Sequence, residues 1–172
     1  MERKRIMIYF IADTHFSEGN IMRYENRPFE SAEAMNREIV SRWNGVVREE
    51  DEVYVLGDFG AAGQEALMLD RLKGKKYLVK GNHDTESNQY YRDAGFAEVY
   101  DHPVIIEDFW ILSHEPLYVN TNMPYANLFG HVHNSPIIKT FSRQHYCVSV
   151  ERIGYTPISM DEIVRRIQDS DG

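Results

Sequence analysis

Residues 76 to 84 read Lys76-Tyr77-Leu78-Val79-Lys80-Gly81-Asn82-His83-Asp84. The β-forming run over 76–80 predicts a strand, and the glycine and three polar residues after it predict a sharp turn. That turn carries an amide oxygen, an imidazole and a carboxylate, which are groups that bind metals or transfer protons. Taken alone, it is equally typical of ordinary structure, because Gly-Asn and His-Asp are common turn pairs.

Four other apolar runs end in the same way. The runs over 6–12, 53–56, 110–112 and 127–129 are followed, in that order, by Asp13-Thr14-His15, Gly57-Asp58, Ser113-His114 and Gly130-His131-Val132-His133. With His83, five of the seven histidines lie at the ends of these five runs. A structural imidazole is the simpler interpretation of each histidine alone, but open α/β sheets bind ligands at the carboxyl ends of their strands. The repeated pattern therefore predicts one shared site.

This ordered set of motifs resembles that of the calcineurin-like metallophosphoesterase superfamily. The motifs are Asp-x-His, Gly-Asp, Gly-Asn-His-Asp, a single His and Gly-His-x-His, and they extend from about Asp13 to His133. The stretches Asp13-Thr14-His15-Phe16, Asn20-Ile21 and Arg27-Pro28-Phe29 further resemble small bacterial and phage phosphoesterases. The resemblance implies an α+β fold, an α/β/β/α sandwich of two facing mixed β-sheets flanked by helices, in a single domain over 1–172.

The resemblance also implies the ligands of two divalent metal ions. Asp58 would bridge the two ions, and the remaining ligands would be Asp13, His15 and His133 for one ion and Asn82, His114 and His131 for the other. Two such cations can share a hydroxide and hold both the attacking and the phosphoryl oxygen. A mixed set of imidazole, carboxylate and amide ligands favours transition metals. Mn²⁺ is the leading candidate, with Fe, Ni²⁺, Co²⁺ and Zn²⁺ as alternatives.

Catalytic and substrate-binding residues follow from the same resemblance. His83 is predicted to be the general acid that protonates the leaving oxygen, and Asp84 would either orient His83 or stabilise the turn. The candidate substrate contacts are Asn20, Arg23 and Arg27. For each arginine taken singly, a solvated surface position is the simpler interpretation. Glu18 stands where the small group often has histidine, so the role of this position is open.

These features predict a dinuclear phosphoesterase in which a metal-activated hydroxide attacks a small phosphodiester, with nucleotides as one candidate class of substrate. The stretch Gly81-Asn82-His83-Asp84 departs from the Gly-Asn-His-Glu that is usual in protein serine/threonine phosphatases, which argues against a phosphoprotein substrate. Two alternatives stay open. One is a phosphomonoesterase or pyrophosphatase using the same site, and the other is a catalytically inert protein-interaction scaffold of the same fold.

Composition limits the partners of the chain. Its 172 residues fit one domain, and the excess of 27 acidic over 19 basic residues gives a net charge of −8. This charge argues against the broad cationic surface that binding to long duplex nucleic acid requires. The single cysteine, Cys147, rules out an internal disulfide and is predicted to be a small buried hydrophobe. The sequence leaves the oligomeric state unknown.

The amino-terminal residues imitate the start of a secretory signal. Arg3, Lys4 and Arg5 precede an apolar run of only seven residues, with no small-residue cleavage site behind it. No run approaches the roughly 18 apolar residues that a membrane helix needs. The sequence therefore predicts a cytoplasmic protein without a membrane partner.

The spacing of apolar residues and the positions of glycines and capping residues predict the remaining elements. Strands are expected at about 5–12, 53–56, 76–79, 137–141 and 145–150, with a hairpin at 104–106 and 109–112. A helix is expected from Ser31 as N-cap through the apolar positions up to Val46, with Gly45 and the run 49–51 ending it. Further helices are expected through Leu67, Leu69 and Leu72 to Gly74, over about 86–94 before Gly95, and after a capping box at Ser159 and Glu162. Residues 14–30 and 116–126 are expected to be loops near the site, and the acidic run 49–51 a solvated turn.

Overall fold

A computed structural model of the chain describes residues 5–169, so Arg3 and Lys4 of the basic amino-terminal run lie outside the described residues. Two five-stranded sheets make up its β-structure. The first contains β1 (Ile8–Ile11), β2 (Glu52–Val55), β3 (Lys75–Val79), β4 (Glu98–Tyr100) and β10 (Ile158–Ser159). The second contains β5 (Val104–Ile106), β6 (Trp110–Leu112), β7 (Ala126–Phe129), β8 (Phe141–Ser142) and β9 (His145–Cys147).

Both sheets are mixed. The strand order of the first is β10-β1-β2-β3-β4, in which β1 to β4 are parallel and β10 is antiparallel to β1. The order of the second is β5-β6-β7-β9-β8, in which β6, β7 and β9 are parallel. Because parallel strands point the same way, the residues that follow β1, β2 and β3 come out at one edge of the first sheet. The residues that follow β6 and β7 come out together at one edge of the second.

Two apolar layers hold the sheets and helices together. Helices α2 (Ala32–Val46), α3 (Glu65–Leu69) and α4 (Asn88–Ala94) pack on one face of the first sheet, in a cluster that includes Trp43 and Tyr91. Phe10 and Leu128 belong to the cluster between the two sheets, which also receives Ile163 of α5 (Met160–Asp169). The predicted α+β sandwich of two mixed sheets with flanking helices is confirmed. Within residues 5–169, no helix is long and apolar enough to cross a membrane.

Helix α2 begins as predicted and extends to Val46, the last of its predicted apolar positions. The Ser31 hydroxyl accepts a hydrogen bond from the Ala34 amide (3.1 Å) and caps the helix. Gly45 lies inside the helix, whose last residue is Val46, so the helix ends between Gly45 and the acidic run 49–51, the two features predicted to terminate it. A glycine within a helix costs about 1 kcal/mol relative to alanine. Burial of Met35, Ile39 and Trp43 on the helix face outweighs that cost.

Several expected boundaries of other elements are wrong. The strand expected at 137–141 is reduced to β8, because Pro136 cannot donate to a ladder and Ile137 is 87% exposed. The strand expected at 145–150 ends at Cys147. Helix α3 ends at Leu69, and Leu67 faces solvent at 60% exposure. The short elements α1 (Ile21–Tyr24), β4 and β10 were not predicted, since elements of two to four residues show no periodicity.

The prediction that residues 49–51 form a solvated turn is wrong for Asp51. Its side chain is fully buried and accepts hydrogen bonds from the amides of Met7 (2.9 Å) and Arg48 (2.9 Å). The Arg48 guanidinium completes the arrangement, with Nη2 2.7 Å from Asp51 Oδ1. Asp51 therefore joins the chain before β1 to the chain before β2, at the amino-terminal edge of the first sheet.

Candidate metal centre

The residues that follow the parallel strands of both sheets meet at one edge of the sandwich. Contacts between neighbouring turns bring them together: the Asp13 amide donates to the Gly57 carbonyl (3.0 Å), and the His15 amide donates to the Asp58 carbonyl (3.0 Å). Ala12 and Ser149 form a parallel bridge that joins the end of β1 to the segment after β9. This edge carries all seven predicted metal ligands and His83.

Five of the seven predicted ligands have a left-handed backbone. The φ angles are positive at Asp13 (59°), His15 (45°), Asp58 (55°), His131 (67°) and His133 (45°). A positive φ is uncommon for residues other than glycine and costs about 1–3 kcal/mol unless surrounding contacts enforce it. Strain is therefore concentrated at this edge, where each strand turns away immediately after presenting its ligand.

Glycines allow the turns to approach one another closely. A Cβ atom at Gly57 would lie 2.2 Å from His114 Nδ1, and one at Gly81 would lie 2.3 Å from Asp58 Oδ1. At Gly130 it would lie 2.4 Å from the Ala12 Cβ. Real side chains do not tolerate such distances, so any larger residue would push the ligands apart.

Of the two candidate metal positions, the first is the predicted group Asp13, His15, His133 and Asp58. Ligand atoms of the first three lie within 4.8 Å of one another, and His15 Nε2 is 3.6 Å from Asp58 Oδ2. His15 Nε2 is buried and has no hydrogen-bond partner within the described part of the chain. The Asp13 carboxylate is held by the His131 amide (2.9 Å) and the Ser149 hydroxyl (2.6 Å). A buried lone pair without a partner, facing two carboxylates, fits a bound cation.

The second metal position is the group Asn82, His114, His131 and Asp58. Asn82 Oδ1 is 3.0 Å from His114 Nε2 and 3.1 Å from His131 Nδ1, and the two nitrogens are 3.1 Å apart. Asp58 Oδ2 lies 3.4 Å from His114 Nε2. His114 Nδ1 donates to the Leu56 carbonyl (2.8 Å), so Nε2 carries the lone pair of the neutral ring. Lone pairs that converge in this way repel one another unless a cation separates them.

Asp58 and His114 stabilise each other's charge. Burial opposes ionisation of Asp58, but its hydrogen bond to His114 and the charge of that ring outweigh burial and lower the pKa of Asp58 to about 2. Burial likewise opposes protonation of His114, and the Asp58 and Asp13 carboxylates overcome it and raise the pKa of His114 to about 9. Burial raises the pKa of Asp13 despite the nearby His133 and His114 rings. A divalent cation would take the place of the proton on His114.

His83 and Asp84 occupy different environments in the same turn. The His83 ring is exposed at the mouth of the site, 5.2 Å from the His15 ring between centroids, and its amide donates to Asp58 Oδ1 (2.9 Å). Asp84 is buried and accepts hydrogen bonds from the amides of Asp58 (2.7 Å) and Gly81 (2.8 Å). Of the two roles predicted for Asp84, these bonds fit stabilisation of the turn.

The three candidate substrate contacts separate into two groups. Asn20, just before α1, and Arg23, within α1, are both exposed. Arg27 is 5% exposed and donates to the carbonyls of Asp13 (2.6 Å) and Thr14 (3.0 Å). Its guanidinium therefore points into the protein and holds the turn that carries the first ligands.

Three polar residues after β9 contact the site but were missed in the sequence. Besides Ser149, they are Glu151, which accepts from His133 Nδ1 (3.1 Å), and Arg152, which donates to the His133 carbonyl (2.5 Å). Glu151 and Arg152 follow the mostly apolar run 146–150, so the rule that identified the other strand ends applied to them as well, whereas Ser149 lies within that run. Glu18 also contacts a ligand, since its Oε2 lies 3.1 Å from His15 Nδ1.

The fold and this ligand set define a metallophosphoesterase-type site. The family model for calcineurin-like phosphoesterases matches residues 6–156, and the chain belongs to that family. The family implies metal-dependent hydrolysis of phosphoesters and typically binds two divalent metals, and this chain has ligand clusters suited to them. Substrate and metal identity do not follow from family membership.

Two proteins with similar sequences and one with a similar structure match between half and nearly all of this chain. Over 172 aligned residues it is 34% identical to "Uncharacterized protein MJ1445" of Methanocaldococcus jannaschii, and the match covers 94% of this chain and 91% of the relative. It is 31% identical over 93 residues to the Gene 66 protein of Mycobacterium phage D29, covering 51% of this chain and 44% of that protein. The crystal structure of the protein of unknown function AQ665 from Aquifex aeolicus superposes with a TM-score of 0.72 at 27% identity, covering 95% of this chain and 100% of that one.

Proposed function

We propose that the protein is a dinuclear metal-dependent phosphoesterase that hydrolyses a small phosphodiester. The observation that supports this most strongly is the convergence of two ligand groups that share Asp58, together with the unpartnered Nε2 of His15. One cation would bind Asp13, His15, Asp58 and His133, and the other Asp58, Asn82, His114 and His131. When bound, such cations supply a water of lowered pKa and neutralise phosphoryl oxygens.

We assign proton transfer to His83. Its main-chain amide is held by Asp58, whereas its ring is exposed, so the ring is close to the ligands and open to a substrate. In this position the imidazole can donate a proton to the departing oxygen. Asp84 supports the reaction by holding the amides of Asp58 and Gly81, and with them the bridging carboxylate.

The charge of the site favours a diester. Carboxylates of Asp13, Asp58, Glu18 and Glu151 surround the first metal position, and the buried Arg27 is paired with Glu151 (2.7 Å). These carboxylates offset most of the positive charge that two divalent cations would bring, so the loaded site gains little from the second negative charge of a monoester over the single charge of a diester. The net charge of −8 also disfavours long duplex nucleic acid. We keep the exposed Asn20 and Arg23 as substrate contacts and give Arg27 a structural role.

A substrate panel tests the proposal. Protein stripped of metal with a chelator should lose hydrolysis and regain it with Mn²⁺, with Fe, Ni²⁺, Co²⁺ and Zn²⁺ compared in parallel. On the reconstituted enzyme, bis(p-nitrophenyl) phosphate and nucleotide diesters should have higher kcat/KM than p-nitrophenyl phosphate and pyrophosphate. Faster turnover of the monoester or pyrophosphate would favour that alternative. Activity that survives exhaustive chelation would contradict the mechanism.

The scaffold alternative gives a different result in the same experiment. Protein that binds two metal ions per chain but hydrolyses none of the panel would favour an inert scaffold. The presence of His83 beside a complete ligand set supports an enzyme. Single-domain organisation over 1–172 and cytoplasmic location stay predictions.

A further inference from the structure

Both histidines of the first metal position have a carboxylate at Nδ1. Glu151 Oε1 is 3.1 Å from His133 Nδ1, and Glu18 Oε2 is 3.1 Å from His15 Nδ1. An ionised carboxylate can only accept a hydrogen bond, so in each ring the proton is on Nδ1. The lone pair of each neutral ring is then on Nε2, the atom that is buried without a partner in His15.

Within residues 5–169, no carboxylate lies within hydrogen-bond distance of the outer nitrogen of His114 at the second metal position, where Asp13 Oδ1 is 4.0 Å from Nδ1. His114 Nδ1 donates to the neutral Leu56 carbonyl, and His131 presents Nδ1 itself to Asn82 Oδ1. Carboxylate support of histidine therefore distinguishes the two positions. A carboxylate at the outer nitrogen of a ligating histidine fixes the tautomer and ring orientation and makes the ligand more basic.

One oxygen of Glu151, Oε1, is held in place by hydrogen bonds, and Oε2 is buried without a partner in the described part of the chain. Its side chain is 5% exposed, and Oε1 accepts from Arg27 Nε (2.8 Å) as well as from His133. Arg27 also donates to the Asp13 carbonyl, so one chain of contacts joins Asp13, Arg27, Glu151 and His133. Glu18 is less constrained, with a side chain that is 27% exposed.

We propose that Glu151 is a positioning residue of the first metal position, with Glu18 as a weaker counterpart. Glu151 holds His133 with Nδ1 protonated and Nε2 toward the metal, and Glu18 does the same for His15. The inference rests on the metal centre proposed above. Loss of such outer partners typically lowers metal affinity by about 10–100-fold. Because Glu151 is the more buried, its loss should have the larger effect.

Metal titration of matched variants tests this role. Metal-free wild type, Glu151→Gln, Glu18→Gln and Glu25→Gln would be titrated with Mn²⁺ by calorimetry and equilibrium dialysis. Glu25 is the control, because its carboxylate belongs to the same group within 4.8 Å as His133 and Glu151. Among the described contacts it makes no side-chain hydrogen bond to His133. Glu151→Gln should weaken one of two binding events by about 10–100-fold, Glu18→Gln by less, and Glu25→Gln by less than about 5-fold.

Histidine NMR on the wild type gives a second measurement that does not depend on a variant folding. In Zn²⁺-loaded protein, long-range ¹H–¹⁵N correlations should show His133 protonated at Nδ1 and bound through Nε2, with His131 bound through Nδ1 as an internal contrast. The Glu151→Gln variant, where folded, should lose the protected Nδ1 proton signal of His133. A purely structural role for Glu151 would leave that signal in place.

The outcomes separate this inference from the proposed function. Wild-type protein that binds no divalent metal would overturn the metal centre and the inference with it. Two metals bound equally well by wild type and Glu151→Gln would overturn the positioning role alone. Equal losses in Glu151→Gln and Glu25→Gln would also overturn it, because they would show a general charge effect. A His133 ring bound through Nδ1 would do the same.

Discussion

The aspartates on either side of β2 are both buried but serve opposite ends of the sheet. Asp51, before the strand, is 0% exposed, and Asp58, after it, is 2% exposed. Asp51 takes its hydrogen bonds from two main-chain amides and the Arg48 guanidinium, none of which changes protonation near neutral pH. Asp58 accepts one amide and otherwise faces the titratable rings of His114 (3.4 Å) and His15 (3.6 Å).

The difference shows how one residue type can serve stability or binding. The pKa of both carboxyls lies below its ordinary value: burial opposes each shift, and hydrogen bonds from Arg48 and from His114 respectively outweigh it. Hydrogen bonds from within the protein reach both carboxylate oxygens of Asp51. The surroundings of Asp58 include the unpartnered His15 Nε2 and a left-handed backbone, and a cation would complete them.

The largest expected effect is the loss of metal affinity in Asp58→Asn. Asp51→Asn should leave metal affinity nearly unchanged. Removing one unit charge about 4 Å from a divalent ion costs roughly 8 kcal/mol of Coulomb energy per ion at an effective dielectric constant of about 20, and water that enters the site recovers part of it. Even half of that energy corresponds to about 10³-fold in affinity for each metal. Metal content by elemental analysis and hydrolysis of bis(p-nitrophenyl) phosphate should both collapse in Asp58→Asn and persist in Asp51→Asn. Two metals retained in Asp58→Asn would remove the bridging assignment.

His83→Ala should lower the rate of hydrolysis without removing the metals, because His83 lies beside the ligands at the carboxyl-terminal edge of the sheet but is not one of them. Both metals should remain bound, while kcat on a diester with a strongly basic leaving group falls by about 10²–10⁴-fold, because no acid protonates the departing oxygen. With p-nitrophenolate, which needs little protonation, the loss should be smaller. Metal content, melting temperature and kcat for both substrates would be measured on one preparation. An equal loss on both substrates would exclude His83 as the general acid.

Asp51→Asn should lower the free energy of unfolding while leaving metal binding intact, the reverse of what is expected for the residues at the metal centre. The asparagine NH₂ group would face donors where a carboxylate oxygen now accepts, and losing hydrogen bonds to a charged group costs about 1.5–3 kcal/mol. For a chain of this size, each kcal/mol corresponds to about 2–4 °C in Tm. Urea and thermal unfolding of metal-free protein would measure the change. Unchanged unfolding would mean that Asp51 adds nothing to stability and that the two ends differ less than proposed.

The smallest effect is the pH dependence of the Asp51 contribution. Since the pKa of Asp51 is lowered from its ordinary 3.8 in the folded protein, its stabilisation is present above 3.8 and is lost as pH falls through the folded value. The difference in unfolding free energy between metal-free wild type and Asp51→Asn should be constant from about pH 7 to 5. Below about pH 4 the two curves should converge. A difference that grows toward acid pH would give the opposite sign and contradict the assignment.

Local sequence determined the parts of this protein whose signal lies within a few residues. A glycine or polar residue after a short apolar run marks a strand end, because a buried run must stop where the chain turns out of the sheet. Such runs predicted β1, β2, β3, β6 and β7 and the ligands that follow them. Ser31 predicted the start of α2 for the same reason, since the capping bond spans only three residues.

Tertiary structure alone decided the contacts between distant segments. The bond from Arg27 to Glu151 spans 124 residues and that from Ser149 to Asp13 spans 136, so neither leaves a local pattern. Arg27 in an exposed loop would suit a phosphate, but folding places it beside a buried carboxylate. The sequence predicted an acidic surface turn at Asp51 because its partner Met7, 44 residues away, becomes a neighbour only when β1 and β2 pair. Long-range pairing sets the charge and burial around each side chain, and a single sequence does not encode these in its spacing.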